Sequence, residues 1–419
     1  MLDYFNISPE ILSLAEKAGE KCAGQFRQIE NISARNQRKM LAAFIKNKVS
    51  DSHFSATTGY GYNDRGREVL DAVAADAFEA ESAILSHNFA SGTHAITVAL
   101  FGILRPGDVM LSVTGPPYDT LRGVVGMGGG GSGSLAEFGV GYDEIELNHD
   151  TINIELMCEK LSSNDKIKLI YIQRSRGYTL RRAISADEMG RVARAARDVR
   201  QDIIIMADNC YGEFVETTEP TAHGVDIIAG SLIKNPGGGI APTGGYIAGR
   251  ADLVEKCADR LTAPGVGREI GCSLGLTREL ALGFYHAPRA VGEALKSAVF
   301  AAALMEEMGY ETFPKSGEAR SDIVQAVKLG SREKLIAFCH GIQSGSPVDS
   351  FAAPRPAAMP GYGCEIIMAS GSFTQGSSIE LSADAPLREP YAVWLQGGLS
   401  FETARVGIML AADGVMHNS

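Results

Sequence analysis

The sequence predicts an α/β protein, with a large domain built on a mostly parallel sheet and a smaller α+β domain at the C-terminal end. Short apolar runs alternate with helical patterns through the first two thirds of the chain, which is typical of a parallel sheet covered by helices on both faces. From Ala287 onward, one long helical pattern is followed by several short strands. The 419 residues, 45% of them hydrophobic, suffice for two or three domains with a sizeable core.

The chain begins with a helical segment. Residues 9–48 carry apolar side chains at helical spacing, and Ser8 is placed to cap this helix. A polar loop follows, and a second helix is predicted over residues 68–80. We therefore expect an N-terminal helical segment over residues 1–50 and a large domain over residues 51–290.

Six strands are predicted in the large domain, each an apolar run bounded by turn residues. A helix follows the sharp turn near residue 91, and another begins after Ser185, which is placed to cap it. Because helices separate most of the strands, neighbouring strands are expected to be parallel. The strands are predicted over residues 83–89, 108–113, 167–173, 202–209, 225–234 and 244–249.

The smaller domain is expected over residues 291–419. A long helix predicted over residues 288–309 is suited to bridging the two domains, and a closing helix is predicted over residues 401–413. The strands of this domain are predicted over residues 321–330, 364–370 and 377–382.

Charge and cysteine usage exclude several classes of protein. The net charge of −11 argues against binding to nucleic acid or to an anionic membrane. The seven cysteines include no C-x-x-C pair, which fits a reducing cytosol, so a cytoplasmic protein is expected. The sequence contains neither a signal peptide nor the ~20 apolar residues that span a bilayer. No metal site is expected, because metal-ligand spacing is absent among His53, His87, His94, His223, His286 and His340.

Lys234 is the first candidate catalytic residue. It follows an apolar run that ends in Gly230 and Ser231, and it precedes Asn235, a proline and three glycines. A buried amine at the end of a strand, three residues after a hydroxyl, is the layout of a lysine that forms a Schiff base with pyridoxal phosphate (PLP). Burial is expected to lower the pKa of this amine. The alternative is a lysine in a glycine-rich surface turn.

Two segments are candidates for binding the cofactor phosphate. Ser91, Gly92 and Thr93 lie between a predicted strand and a predicted helix, where free N–H groups and the helix dipole hold anions. The alternative is a simple turn capped by Ser91 or Thr93. The Ser231 hydroxyl is a further phosphate ligand, or else a strand-end serine that bonds its own backbone.

Asp208 and Tyr118 are candidates for contacts to the cofactor ring. Asp208 ends an apolar strand, and a buried carboxylate there is costly unless it pairs with a cation such as the pyridinium nitrogen. Its alternative is a turn or capping aspartate. Tyr118 lies in a proline-rich loop after a strand and could stack on the ring, or else pack at the domain surface. Because all these positions follow strand ends, they predict one PLP site at the carboxyl edge of the sheet.

Eight stretches resemble a known family: TGYGYNDRGRE, SGTHAI, GPPYDT, IQRSRGY, ADNCYGEF, SLIKNPGGGIAPTGGYIAG, PGVGREIG and LQGGLSFETA. Through them the chain resembles the PLP enzymes of fold type I, in the Cys/Met metabolism branch. More narrowly, it is similar to the cystathionine β-lyase/methionine γ-lyase-like proteins associated with aluminium resistance. The resemblance covers essentially the whole chain and implies an aspartate aminotransferase-like fold with PLP as cofactor.

The resemblance implies roles for individual residues. Lys234 would carry the Schiff base and later act as the acid/base that moves protons. Asp208 would pair with the pyridinium nitrogen, Tyr118 would stack on the ring, and Gly92 and Thr93 would bind the phosphate.

It also implies an active site shared between subunits of a homodimer or homotetramer. In related lyases a tyrosine and an arginine of the neighbouring subunit reach the phosphate. Tyr60, Tyr62 and Arg65 match that pattern in residue type, and which tyrosine does so is left open.

The substrate carboxylate needs a fixed guanidinium. Related lyases carry this arginine in the small domain, where Arg388 and Arg405 are the candidates. Arg388 is favoured because two flanking prolines stiffen its loop, whereas Arg405 lies in a helical pattern. Arg174 and Arg176 follow a central strand and could also reach the pocket, or else form a polar strand-end turn.

The chain departs from related lyases just before Lys234, and the carboxylate of Glu269 has two possible interpretations. Ile233 stands where related lyases have a threonine, so one phosphate contact is missing or supplied elsewhere. Glu269 lies in a glycine-rich loop that could close over the site, or it is a surface carboxylate.

We therefore predict a PLP-dependent carbon–sulfur lyase that eliminates a thiol from a sulfur-containing amino acid to give a 2-oxo acid and ammonia. The elimination is at the β or the γ carbon. Alternatives on the same scaffold are transamination, racemisation, aldol cleavage or PLP binding with little catalysis. A nucleotide-binding protein is disfavoured, because neither G-x-G-x-x-G nor the P-loop motif occurs.

Overall fold

The large domain is built on a seven-stranded sheet in the computed structural model, which describes residues 4–128, 132–358 and 363–417. The strand order is β1-β7-β6-β5-β4-β2-β3. β7 is antiparallel to both of its neighbours, and the other strands run in one direction. The carboxyl ends of β2, β4, β5 and β6 therefore share one edge. The strands are β1 (Ser82–Ser86), β2 (Val109–Ser112), β3 (Gly141–Glu144), β4 (Ile167–Gln173), β5 (Ile204–Asp208), β6 (Ile227–Ser231) and β7 (Gly245–Gly249).

Helices bury both faces of this sheet. Along β4, Leu169 and Tyr171 belong to the hydrophobic cluster formed with α3 and α7, whereas Ile170 and Ile172 belong to the cluster formed with α2, α5 and α6. This alternation between two cores is expected for a strand that is covered on both sides. The helices are α2 (Arg65–Ala77), α3 (Gly92–Ile103), α4 (Asp119–Val125), α5 (Ile154–Ser163), α6 (Ala186–Val199) and α7 (Ala251–Leu261).

A six-stranded sheet forms the smaller domain, in the order β10-β11-β12-β13-β9-β8 and with every pair antiparallel. Helix α9 packs on β11 and β12, while α8 contacts both this sheet and the segment after Lys234, and α1 packs along α8. In the described part of the chain, no helix combines the length and the apolar character that crossing a membrane demands. The elements are α1 (Pro9–Lys46), α8 (Thr277–Glu307), β8 (Glu311–Phe313), β9 (Gln325–Lys328), α9 (Arg332–Ser344), β10 (Ala357–Ala358), β11 (Glu365–Ser370), β12 (Ser382–Pro386), β13 (Ala392–Gln396) and α10 (Phe401–His417).

The predicted α/β architecture, with its smaller α+β part, is confirmed. Ser8 and Ser185 cap α1 and α6, each accepting a hydrogen bond from an N–H of the first turn at 3.4 and 3.2 Å. Helix α2 begins at Arg65, earlier than predicted, because the Asp64 carboxylate caps it. The expected boundary between the domains at residue 290 lies within α8.

The strand predicted over residues 377–382 is wrong, since β12 begins only at Ser382. The Glu380 carboxylate accepts hydrogen bonds from the backbone N–H groups of Phe373 and Thr374 at 3.0 and 3.2 Å. The Ser377 N–H donates to the carbonyl of Thr374 at 3.0 Å. These bonds close a turn. The apolar residues that alternate there are explained by burial against the small domain rather than by pairing with a neighbouring strand.

Candidate active site

Lys234 lies just beyond the carboxyl end of β6 and begins a short turn over Asn235–Gly237, all three of which are buried. A Cβ atom at Gly237 would lie 1.6 Å from the carbonyl oxygen of Leu232, and one at Gly238 would lie 2.5 Å from that of Gly283 on α8. Only glycine lets the chain approach α8 this closely. The alternative of a surface turn is therefore wrong, and the glycines serve to hold Lys234 in the interior.

The amine of Lys234 faces a cavity rather than solvent. Its Nζ lies 4.0 Å above the centroid of the Tyr211 ring, a cation–π contact. Burial lowers the pKa of this amine, but the charges that Cys210, Tyr211, Asp208 and Glu213 can carry around it raise the pKa by more. The expectation of a lowered lysine pKa is thus wrong for this set of side chains, because acidic groups surround the amine.

Asp208 ends β5 and points into the same cavity. Its carboxylate accepts a hydrogen bond from the Cys210 N–H at 3.1 Å and one from the Tyr171 hydroxyl at 3.4 Å. Burial raises the pKa of Asp208, and the nearby Lys234 amine opposes that rise. The Asp208 oxygen that accepts from Cys210 forms a turn, as the alternative interpretation predicted. A buried carboxylate that faces a cavity is also suited to pair with a cationic ring nitrogen.

A cradle for an anion lies at the N-terminus of α3. Ser91 caps the helix, accepting from a backbone N–H of the first turn at 3.1 Å. A Cβ atom at Gly92 would lie 3.0 Å from the Cβ of Ser231, so a larger residue would fill the space. The Thr93 hydroxyl lies 3.0 Å from that of Thr120. Free N–H groups, the helix dipole and the hydroxyls of Thr93, Thr120 and Ser231 are the donor set that a phosphate needs.

Tyr118 precedes α4 and lines the cavity that Lys234 and Asp208 also face. The structure thus brings together one residue from each predicted part of the site: amine, carboxylate, aromatic ring and helix N-terminus. These residues fit PLP in type and arrangement. The cavity is lined by Thr93, Ile96, Tyr118, Thr120, Leu121, Gln173, Ser175, Gly177, Asp208, Cys210, Tyr211 and Lys234.

Several residues that line the cavity or lie near it escaped the sequence analysis. Cys210 and Tyr211 directly follow Asp208, so their position after a strand-end carboxylate was the available signal. Gln173 ends β4 and pairs in register with Asp208, which only the strand order could reveal. Glu213 is fully buried and accepts from the Tyr246 hydroxyl at 2.9 Å. Its burial raises its pKa to about 8.

The four candidate arginines occupy different environments. Arg388 is exposed and lines a second cavity, which shares Tyr118 with the first. Arg176 also lines this second cavity, but it is buried and paired with Asp322 at 3.5 Å. Arg174 is buried against two glutamates, at 2.5 and 3.7 Å. Arg405 stands 5.3 Å over a phenylalanine ring on α8 and lines neither cavity.

Tyr60, Tyr62 and Arg65 lie away from the cavity of their own chain. The two tyrosines are 68% and 61% exposed, with their rings stacked at 5.4 Å. Arg65 is exposed and lies 3.3 Å from the His53 ring. Glu269 lines a separate cleft beside α2. Within the described ranges, no cluster of three or more histidine, cysteine or acidic side chains is arranged to hold a metal.

Comparison with known proteins identifies the family. Residues 11–416 match the model of a family described as methionine gamma-lyase. The chain belongs to this methionine gamma-lyase family. It is 47% identical to the uncharacterized protein YnbB of Bacillus subtilis over 395 residues, which cover 94% of each chain. Membership supports the predicted class, a carbon–sulfur lyase, and implies PLP as its cofactor.

Two crystal structures are similar over nearly the whole chain. A carbon–sulfur lyase involved in aluminum resistance from Clostridium novyi NT is 48% identical, covers 98% of this chain and 97% of its own, and gives a TM-score of 0.95. A protein of Clostridium acetobutylicum, provisionally named a cystathionine beta-lyase involved in aluminum resistance, is 47% identical, with coverages of 99% and 97% and a TM-score of 0.96. The predicted resemblance is confirmed.

The fold extends to more distant proteins. The pyridoxal-5'-phosphate dependent protein YhfS of Escherichia coli is 18% identical, covers 93% of this chain and 97% of its own, and gives a TM-score of 0.61. At this identity the likeness bears on the fold alone. With the strand order above, it confirms the predicted fold type I architecture.

Proposed function

We propose that this protein is a PLP-dependent carbon–sulfur lyase that eliminates a thiol from a sulfur-containing amino acid, yielding a 2-oxo acid and ammonia. The observation that carries the proposal is the convergence of Lys234, Asp208 and the N-terminus of α3 on one cavity at the carboxyl edge of the sheet. Family membership adds the reaction class.

Each residue has a distinct task toward the cofactor. Lys234 would hold the cofactor aldehyde covalently, and Asp208 would keep the ring nitrogen protonated. Tyr118 would stack on the ring, while the first N–H groups of α3 and the Ser231 hydroxyl would bind the phosphate. When bound, PLP supplies an electron-withdrawing ring that stabilises negative charge at the α carbon of an amino acid.

The apolar side chain of Ile233 cannot bind the phosphate, but a nearby hydroxyl can take over that role. The Thr120 hydroxyl lies 3.0 Å from that of Thr93 and lines the cavity beside it. We infer that Thr120 supplies the phosphate contact that a threonine before the lysine gives in related lyases. This hydroxyl comes from the start of α4, so the cradle would be closed from the opposite side.

The reaction then depends on proton transfers by Lys234. As a free amine, Lys234 would take the proton from the α carbon of the substrate and return a proton later. β-Elimination needs this one abstraction, whereas γ-elimination needs a second, at the β carbon. Arg388 would bind the substrate carboxylate, since it is exposed and lines the adjoining cavity.

We propose that the working unit is a homodimer or homotetramer in which Tyr60, Tyr62 and Arg65 complete the site of a neighbouring chain. Their exposure and their distance from the cavity of their own chain support this arrangement. Mixing a Lys234→Ala chain with an Arg65→Ala chain should restore part of the activity, because some mixed sites would contain both native residues. Mixtures that form hetero-oligomers yet stay inactive would refute a shared site.

Two measurements test the proposal. Borohydride reduction of the PLP-loaded protein should place the label on the peptide that contains Lys234. Incubation with L-methionine, L-cystathionine and L-cysteine should yield, from at least one of them, a 2-oxo acid and an equal amount of thiol, or of hydrogen sulfide in the case of L-cysteine. A labelled Lys234 with no turnover of any of these would indicate a PLP-binding protein with little catalysis, and oxo acid without thiol would indicate transamination.

A further inference from the structure

The chain turns at a corner after β4 and passes beside the ring of Tyr118. Gly177 has a φ of +57°, a left-handed conformation that favours glycine. A Cβ atom there would lie 3.4 Å from Cδ2 of Tyr118 and 3.2 Å from Nε2 of Gln173. A side chain at position 177 would therefore contact the tyrosine ring that faces the cofactor cavity, and glycine leaves the ring its place.

The next residue continues this contact away from the cavity. The Tyr178 ring lies 5.9 Å from the Tyr118 ring at 59°, and 5.4 Å from the Trp394 ring of β13 at 57°. Both distances fall in the range of favourable aromatic pairs. The Trp394 indole N–H donates to the carbonyl of Thr179 at 3.2 Å. Three aromatic rings thus run from the cavity into the small domain.

A carboxylate of the small domain fixes the polar end of Tyr178. Oδ2 of Asp384, on β12, accepts from the Tyr178 hydroxyl and from Nε2 of Gln396, both at 3.0 Å. Burial raises the pKa of Asp384 to about 6, while these two hydrogen bonds oppose that rise. The carboxylate is therefore mostly ionised at neutral pH, and hydrogen bonds to an ionised acceptor are the stronger kind. We call Tyr178, Asp384, Trp394 and Gln396 the interdomain wall.

We propose that Asp384 and Tyr178 are positioning residues: Asp384 holds the hydroxyl of Tyr178, and Tyr178 with Gly177 holds the Tyr118 ring in place over the cofactor. The inference rests on the proposed function only in that Tyr118 is taken to stack on PLP. It implies that the small domain sets the orientation of the bound ring. The competing account is that the wall merely joins two domains and leaves the ring unaffected.

Tyr178→Phe removes the hydroxyl and keeps the ring. The matched control is Tyr142→Phe, which removes another tyrosine–carboxylate hydrogen bond, to Glu144 at 2.5 Å, on an edge strand away from both cavities. For Tyr178→Phe we expect about a fivefold to tenfold loss of PLP affinity and a reduced visible circular dichroism of the bound cofactor. The control should retain both, whatever happens to its melting temperature.

Two substitutions of Asp384 separate geometry from charge. Asp384→Asn keeps an oxygen that can accept from Tyr178, whereas Asp384→Ala removes it. Positioning predicts that Asp384→Ala resembles Tyr178→Phe and that Asp384→Asn lies nearer to the wild type in both readouts. If Tyr178→Phe does not fold, this pair still decides the matter.

The inference is overturned if Tyr178→Phe and Asp384→Ala lower the melting temperature but leave PLP affinity and the visible signal unchanged. Neither readout requires turnover. A wild-type protein that binds PLP but releases no thiol would therefore defeat the proposed function and leave the positioning test intact.

Discussion

The carboxyl edge of the large-domain sheet lines the cofactor cavity, whereas the interdomain wall contacts the Tyr118 ring from outside it, and the two regions are held in different ways. Asp208 and Ser231 end two adjacent parallel strands, and Gly92 begins a helix, so the backbone of a single sheet layer fixes them. The wall depends on side chains far apart in the chain: Tyr178 and Asp384 are separated by 206 positions. The residues of the edge are thus held by the backbone of one domain. The wall keeps its geometry only as long as the two domains keep their relative positions.

Substitutions in the two regions should therefore have different effects. Substitutions at the edge should abolish attachment or chemistry without involving the small domain. Substitutions in the wall should alter the orientation and the affinity of the bound cofactor without removing the residue that attaches it, since Lys234 is anchored by the glycine-packed turn against α8.

The largest effect is expected from Lys234→Ala. Without the amine there is neither covalent attachment nor a proton carrier at the α carbon, so turnover should fall by about 10³-fold or more. Borohydride labelling and thiol release measure the two losses separately. A variant that keeps substantial turnover would contradict the placement of the chemistry at this edge.

Asp208→Asn should have the next largest effect. The side chain can still accept from the Cys210 N–H, but it loses the charge that would pair with a protonated ring nitrogen. We expect PLP affinity to fall roughly 10- to 100-fold, measured by equilibrium titration of the apoprotein. Asn153→Ala, which removes the cap of α5 outside the cavity, is the control for general destabilisation. Equal PLP affinities of Asp208→Asn and wild type would show that the carboxylate only shapes a turn.

Arg388→Gln and Arg405→Gln form a matched pair on the small domain. Arg388 lines the cavity that adjoins the cofactor site, whereas Arg405 lies on α10 over the Phe300 ring. Loss of a charged contact to the substrate carboxylate should raise KM about tenfold or more for Arg388→Gln, with the PLP spectrum unchanged. Arg405→Gln should leave KM near its native value. The reverse pattern would assign the carboxylate contact to Arg405.

The same two regions show which residues of the site can be predicted from the sequence and which cannot. Lys234, Asp208 and the turn at Gly92 were identifiable because each is a short local pattern at a strand end, and strand ends of a parallel sheet share one edge. Tyr178 and Asp384 were missed as positioning residues, although Tyr178 ends the stretch IQRSRGY, because only the packing of the two domains brings them together. The incorrect strand prediction over residues 377–382 has the same origin. Apolar residues do alternate there, but the Glu380 carboxylate, rather than a neighbouring strand, accepts the backbone hydrogen bonds.

The smallest effect concerns Glu213, beneath the edge, and it appears in stability rather than catalysis. Its folded pKa of about 8 lies above the ordinary 4.5 because of burial. Between these values the folded state retains a proton that the unfolded chain has released, so rising pH favours unfolding until about pH 8. Glu213→Gln does not titrate and can still accept from Tyr246. As pH rises from 5 to 8, the stability of Glu213→Gln should therefore increase relative to that of the wild type. The increase should be on the order of a few kcal/mol in the free energy of unfolding, and the difference between the two melting temperatures should change in the same direction. A constant difference between the two melting temperatures across this range would show that Glu213 is ionised in the folded protein. The carboxyl edge would then tolerate a buried charge as readily as the interdomain wall tolerates the charge of Asp384.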